Sequence, residues 1–200
     1  RMYKEAIEDF DRILVLEGAW VGEAMYQKAR ALLKLGSPVA ALAGFEGART
    51  MGFTVPDEYH LIEEILCLYV SNRLDEALGL VNSVLDLKPE MFEALVLKAQ
   101  ILFKFKRGEE ALEFLQKAID LQPKRPATHL LKADILEAMA RNEEALEERN
   151  IAKILDPSLL KTEGHIKEWL EEAIKVPSKT QDERQKERML ARKKKKEAKF

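Results

Sequence analysis

A chain of 200 residues, 46% hydrophobic and 34% charged, has enough apolar side chains for a core, and its charge suits thin helical layers with much surface. Its single cysteine, Cys67, excludes an internal disulfide framework and fits a reducing, cytoplasmic or nuclear compartment. No apolar run approaches the length needed to span a membrane. The formal net charge of −2 hides a division: from Pro177 onward ten Lys/Arg meet four Asp/Glu, giving +6, while the body before it carries 23 basic and 31 acidic residues, giving −8.

The first stretch, RMYKEAIEDFDRILVLEG, reads as one helix with Ala6, Phe10, Ile13 and Leu16 facing inward. From Gly22 a helix carries Ala24, Ala29, Leu32 and Leu33 and ends near Gly36. Ser37-Pro38 then supplies an N-cap residue followed by proline at the first helical position, and the next helix places Ala41, Phe45 and Ala48 inward. A slightly longer link runs from Met51 to Asp57, and Asp57 is expected to cap the helix after it.

The stretch 58–91 breaks near Asn72 and ends at Pro89, with Leu61, Leu68, Ala77, Val81, Val84 and Leu87 as its inward set. The stretch 92–125 has two apolar-periodic segments around Lys106-Arg107-Gly108: Leu95, Ala99, Leu102 and Phe103 in the first, and Ala111, Leu112, Leu115, Ala118 and Ile119 in the second. Pro123 closes it. The stretch 126–159 repeats the pattern with Ala133, Leu136, Ala145 and Ala152 and closes at Asp156-Pro157.

Two independent markers share one period. Ala77, Ala111 and Ala145 are 34 residues apart, preceded by Ala41 and Ala6 at 36 and 35, and Pro89, Pro123 and Pro157 are also 34 apart. With small residues where two helices must approach closely, this resembles the tetratricopeptide repeat, Ala99, Ala111, Ala118 and Pro123 standing on that family's small and terminating positions. The resemblance implies an all-α, right-handed helical-repeat solenoid: a half repeat over 1–21, then repeats at about 22–57, 58–91, 92–125 and 126–159. The half repeat, and an opening residue that is Arg rather than Met, are expected of a fragment of a longer protein. Ile65 stands where the family has Gly or Ala, so its two helices are expected to sit further apart, and Arg149 stands where an aromatic or aliphatic residue is usual.

After Pro157, Ile166, Trp169, Leu170, Ala173 and Ile174 share one helical face, which makes 160–176 a capping helix over the last apolar layer. Residues 177–200 form a basic charged tail with the run Arg192, Lys193, Lys194, Lys195 and Lys196, readable as a nuclear localisation signal, a contact to nucleic acid or an acidic partner, or a solvated end.

No catalytic constellation is recognisable, and neither a cofactor nor a metal is expected. His60, His129 and His165 lie in different units without metal-ligand spacing, and Cys67 sits in a buried-looking helix as a packing residue. The pairs Glu63-Glu64 and Glu143-Glu144 are assigned to exposed helix starts, where acids complement the helix dipole.

The family's binding surface is its concave face, lined by the first helix of each repeat. Carried over, it implies a groove of Tyr26, Arg30 and Leu33, then Ile62, Leu66 and Tyr69, then Val96, Gln100 and Phe103, and finally Leu130, with Asp134 and Glu137. The alternative is that several of these side chains pack on neighbouring first helices rather than await a partner. The clamp by which some members hold acidic chaperone termini is disfavoured, because the comparable stretch offers Tyr26, Arg30, Glu63, Glu93 and Leu97, of which Arg30 alone would serve.

The expected function is a non-enzymatic scaffold holding an apolar or amphipathic partner segment in that groove, with neither a membrane nor a small-molecule substrate involved. The rivals are a subunit of a ribonucleoprotein or nuclear assembly whose tail touches nucleic acid, and a regulatory repeat domain of a larger enzyme.

Overall fold

The computed structural model describes residues 2–15, 20–54 and 58–157. Among these, all regular structure is helical: α1 (Met2–Val15), α2 (Val21–Lys34), α3 (Pro38–Thr50), α4 (Glu58–Val70), α5 (Leu74–Leu87), α6 (Phe92–Lys104), α7 (Gly108–Leu121), α8 (Pro126–Ala138) and α9 (Asn142–Leu155). The expected capping helix and basic tail lie outside the described residues, as does Asp57.

Helices α2 to α9 pair into four antiparallel hairpins, with α1 packed on α2. The second helix of each hairpin packs on the first helix of the next, and α4 touches both α2 and α6 directly. One apolar core runs through the stack, holding Ala29, Ala41, Ala77, Ala99, Ala111, Ala118, Ala133 and Ala145 with the larger Phe45, Leu97, Ile101, Leu102 and Leu115. The small residues let the backbones close up. At Gly44 a Cβ would stand 2.8 Å from the Cβ of Ala29, so only glycine fits where α3 crosses α2. The pair α4–α5 meets less closely than the other three hairpins, as expected from Ile65, whose fully buried side chain keeps the two helices apart.

Leu87 is a correction. It is 68% exposed, because at about 100° per residue it stands roughly 80° round α5 from the stripe of Ala77, Val81 and Val84. Ser37 does precede α3, with Pro38 as its first residue, but the serine side chain makes no capping hydrogen bond.

Each hairpin turns through one residue in the left-handed region: Gly36, Asn72, Lys106 and Ala140, with φ of 78°, 59°, 63° and 62°. The residue after each sends its N–H back five positions along the chain, as in Ser37 to Leu32 O at 3.0 Å and Arg141 to Leu136 O at 2.9 Å. This closes the helix end. Glycine meets the conformation at Gly36 without strain, whereas Ala140 carries a Cβ there at a cost of about 1–2 kcal/mol. Part of that gain is lost to the freer unfolded chain. Ala140→Gly is therefore expected to raise stability by about 0.5–1 kcal/mol in urea unfolding, and Gly36→Ala to lower it comparably.

In the last three hairpins the next residue is arginine. Arg73, Arg107 and Arg141 each fork onto the glutamate three residues on, Glu76, Glu110 and Glu144, with both contacts at 2.6 Å. Arg73 also reaches Glu46 and Arg141 reaches Glu109, tying adjacent hairpins together. These pairs are solvent-exposed, so water screens them and they add little to stability; their role is to fix where the second helix starts.

Candidate functional site

The inner helices α2, α4 and α6 stack side by side, and α8 continues the series on α7. Since α4, α6 and α8 begin near residues 58, 92 and 126, corresponding side chains recur in rows across the stack. One row holds Arg30, Leu66, Gln100 and Asp134, and the next holds Leu33, Tyr69, Phe103 and Glu137.

The groove residues expected from the sequence fall into two groups. Tyr26, Leu33, Ile62, Leu66, Tyr69, Val96, Gln100 and Leu130 are all buried, whereas Arg30 and Phe103 are half-buried. Tyr26 belongs to an aromatic cluster, its ring centroid 5.2 Å from Phe45, 4.9 Å from Phe53 and 5.9 Å from His60. Burial raises the Tyr69 phenol above its ordinary range, and the ammonium of Lys104 stands 5.9 Å from the Tyr69 ring centroid.

The two ends of the inner face carry opposite charge patterns. On α2 and α4, Arg30 meets Glu63 with Nε to Oε2 at 2.6 Å, while Lys34 stands 3.7 Å from the other carboxylate oxygen. Arg30 also donates to Gln27 at 3.4 Å. These three charged side chains are only 13%, 12% and 17% exposed for Arg30, Glu63 and Lys34. Burial first, and the neighbouring Arg30 after the opposing pull of Glu63, hold the Lys34 ammonium below its ordinary pKa. At the other end Arg149 reaches from α9 to Asp134 at 3.2 Å and to Glu137. The arginine that stands in place of an apolar residue thus covers the two acids.

Glu63 and Glu64 are a second correction. They sit in the middle of α4, not at its start, and both are paired: Glu63 as above, and the buried Glu64 with Arg49 of α3. Glu143 and Glu144 do stand in the first turn of α9. Reading the sequence alone missed Lys34 and the pairing of Arg30 with Glu63. The available signal was Arg30 and Lys34 one turn apart, two like charges on one helix face that need an acid from the adjacent helix.

The remaining candidates are structural. The Cys67 thiol is fully buried, and desolvation, with the carboxylate of Glu63 adding to it, pushes its pKa up to about 12, leaving no thiolate for nucleophilic chemistry. His129 bridges Glu148 through Nδ1 at 2.7 Å and the Pro123 carbonyl through Nε2 at 3.1 Å. Among the described residues no group of three or more His, Cys, Asp or Glu is placed to hold a metal, and no helix is long and apolar enough to cross a membrane. His165 and the run Arg192 to Lys196 lie outside the described residues.

The family model of the tetratricopeptide repeat matches residues 68–135, within α4 to α8. That stretch is of tetratricopeptide-repeat type, and the fold of the described residues is a helical-repeat solenoid like that of the family. Among solved structures it resembles MamA from Desulfovibrio magneticus RS-1, residues 41 to the end, at 20% identity and a TM-score of 0.68, over 78% of this chain and 86% of that one. A second MamA structure, the RS-1 ArsTM double mutant, gives 21% identity and a TM-score of 0.66 over the same shares. YrrB, described as a tetratricopeptide-repeat protein with an unusual peptide-binding site, is similar at 18% identity and a TM-score of 0.65, over 78% of this chain and 79% of that one. No curated protein matches the sequence.

Proposed function

We propose that this chain is a non-enzymatic scaffold that holds a partner protein through an apolar or amphipathic segment laid along the inner helices. The observation that carries the reading is the row of Tyr69 and Phe103 on adjacent inner helices, with Arg30 and Lys34 to one side and Asp134 and Glu137 to the other. Aromatic side chains in register offer large contact area with few rotatable bonds, which makes them effective anchors. The peptide-binding site named for YrrB, a protein of the same fold, supports the same class of ligand.

Burial divides the proposed groove into a floor and a contact surface. Tyr26, Leu33, Ile62, Leu66, Val96 and Leu130 form the floor and set the spacing of the inner helices. Phe103, half-buried beside the exposed Lys104, is the side chain through which a partner is gripped.

A displayed library of 12-residue peptides, selected against the whole chain, tests this. Phe103→Ala is expected to weaken the selected peptides by about 1–2 kcal/mol, with a fall in melting temperature far smaller than that of a core truncation. Binding unchanged in Phe103→Ala, or a library that yields no binder, overturns the reading.

A further inference from the structure

One position of the first helix is charged in each of the four hairpins: Lys28, Glu64, Lys98 and Lys132, spaced 36, 34 and 34 residues apart on α2, α4, α6 and α8. Three of the four meet an opposite charge on a neighbouring helix. Lys28 pairs with Asp11 of α1, Glu64 with Arg49 of α3, and Lys132 with Glu148 of α9. Lys98 makes no ion pair or hydrogen bond among the described residues.

Two changes along the repeat account for this. Phe114 stands 34 residues before Glu148, so a ring occupies the place of the carboxylate. Lys117 stands likewise where α9 has Ile151, which adds a second cation. The ammonium groups of Lys98 and Lys117 lie 4.1 and 4.8 Å from the centroid of the Phe114 ring. The counterpart of Asn82 is Gln116, whose amide oxygen receives the Lys132 ammonium at 2.9 Å; Asn82 is one methylene shorter, and its buried Oδ1 meets no donor. Glu110 is held by the fork of Arg107, and Asp86 acts on Lys98 only at a distance. Burial first, and the ammonium of Lys117 next, keep the Lys98 pKa below its ordinary range, the sign expected of a cation short of a partner.

We infer that the valley between α5 and α7 is a second docking point, which receives one aspartate or glutamate side chain of a partner protein between Lys98 and Lys117, with an apolar neighbour of that acid resting on the Phe114 ring. The incoming carboxylate takes the place that Glu148 fills beside Lys132. At about 100° per residue, Lys98 lies roughly 140–160° round α6 from Gln100 and Phe103, so the valley faces away from the proposed groove and does not depend on it. A single carboxylate suits it better than a nucleic-acid backbone, because Asp86 and Glu110 flank the lysines and repel a run of phosphates.

The test is a subtractive selection. A displayed library of 12-residue peptides is selected on the whole chain with excess soluble Phe114→Glu present. That variant supplies the missing carboxylate from its own α7, which closes the valley and leaves the groove to absorb groove binders. The surviving peptides are expected to share one acid at one aligned position. They should bind the unaltered chain about tenfold more tightly than Phe114→Glu or Lys98→Met, the size of one charge-assisted contact. Replacing the shared acid by its amide should cost the same factor, and Phe103→Ala should leave binding unchanged. Circular dichroism checks that both variants keep their helices; Lys98→Met, which retains the apolar stem, is the competitor should Phe114→Glu not fold.

A selection without survivors, survivors that share no acid, or equal binding to Lys98→Met and the unaltered chain overturns the inference while the groove stands. Survivors that Phe103→Ala releases lie in the groove, which overturns the second docking point alone. A 12-nucleotide single-stranded RNA that binds the unaltered chain but not Phe114→Glu would make the valley a nucleic-acid contact, and the protein partner falls.

Discussion

Phe45→Ala is expected to lower the stability of the chain by about 3–5 kcal/mol, the usual cost of removing a buried aromatic side chain from a core that cannot collapse around the gap. Phe45 is 2% exposed, and its ring meets Tyr26 with centroids 5.2 Å apart. Behind it, Ala29 and Gly44 already hold α2 and α3 in backbone contact, so the helices have no room to move inward. Because stacked repeats are coupled mainly through their neighbours, the loss should be local. Hydrogen exchange should open α2 and α3 first while α6 and α7 keep their protection. Equal acceleration along the whole stack, or a loss under about 1 kcal/mol, would contradict this placement of Phe45.

Glu63→Gln is expected to cost about 2 kcal/mol, between the small worth of surface pairs and the larger penalty of breaking a fully buried one. The variant leaves Arg30 and Lys34 facing each other without a counter-charge. It also changes the response to pH in a fixed direction. A lysine whose folded pKa lies below its ordinary 10.5 binds fewer protons folded than unfolded, so stability rises with pH across the window between the two values. Removing Glu63 takes away the group that pulls the Lys34 pKa back up, so the window widens and the rise toward alkaline pH should be steeper than in the unaltered chain. Urea unfolding followed between neutral pH and about pH 10 checks this, and a flat difference between the two proteins would sink the charge reading. Low salt should deepen the loss, because screening by mobile ions is then weakest.

Much of the architecture was legible in the sequence because helix stacking depends on periodic, local features. The alanines at Ala77, Ala111 and Ala145 had to be small wherever helices cross, and the prolines at Pro89, Pro123 and Pro157 had to fall where they end. Repetition made both visible at one period. Ile65 announced a wider hairpin by its volume alone. Leu87 misled because apolar character near a helix end says nothing about whether a neighbouring helix reaches that far.

The left-handed turns at Lys106 and Ala140 were not legible: neither residue favours that conformation, and each is held in it by the closing hydrogen bonds of the helix before it. The residues of the inner face could be named from the repeat register, but their roles could not. Whether Tyr26 awaits a partner or packs among Phe45, Phe53 and His60 depends on how the aromatic cluster closes around it. The pairing of Arg30 and Lys34 with Glu63 joins residues about 30 positions apart that lie side by side only once α2 and α4 have stacked. Composition and period determine where helices start, stop and crowd; burial and charge neutralisation belong to contacts between helices, which exist only in the assembled stack.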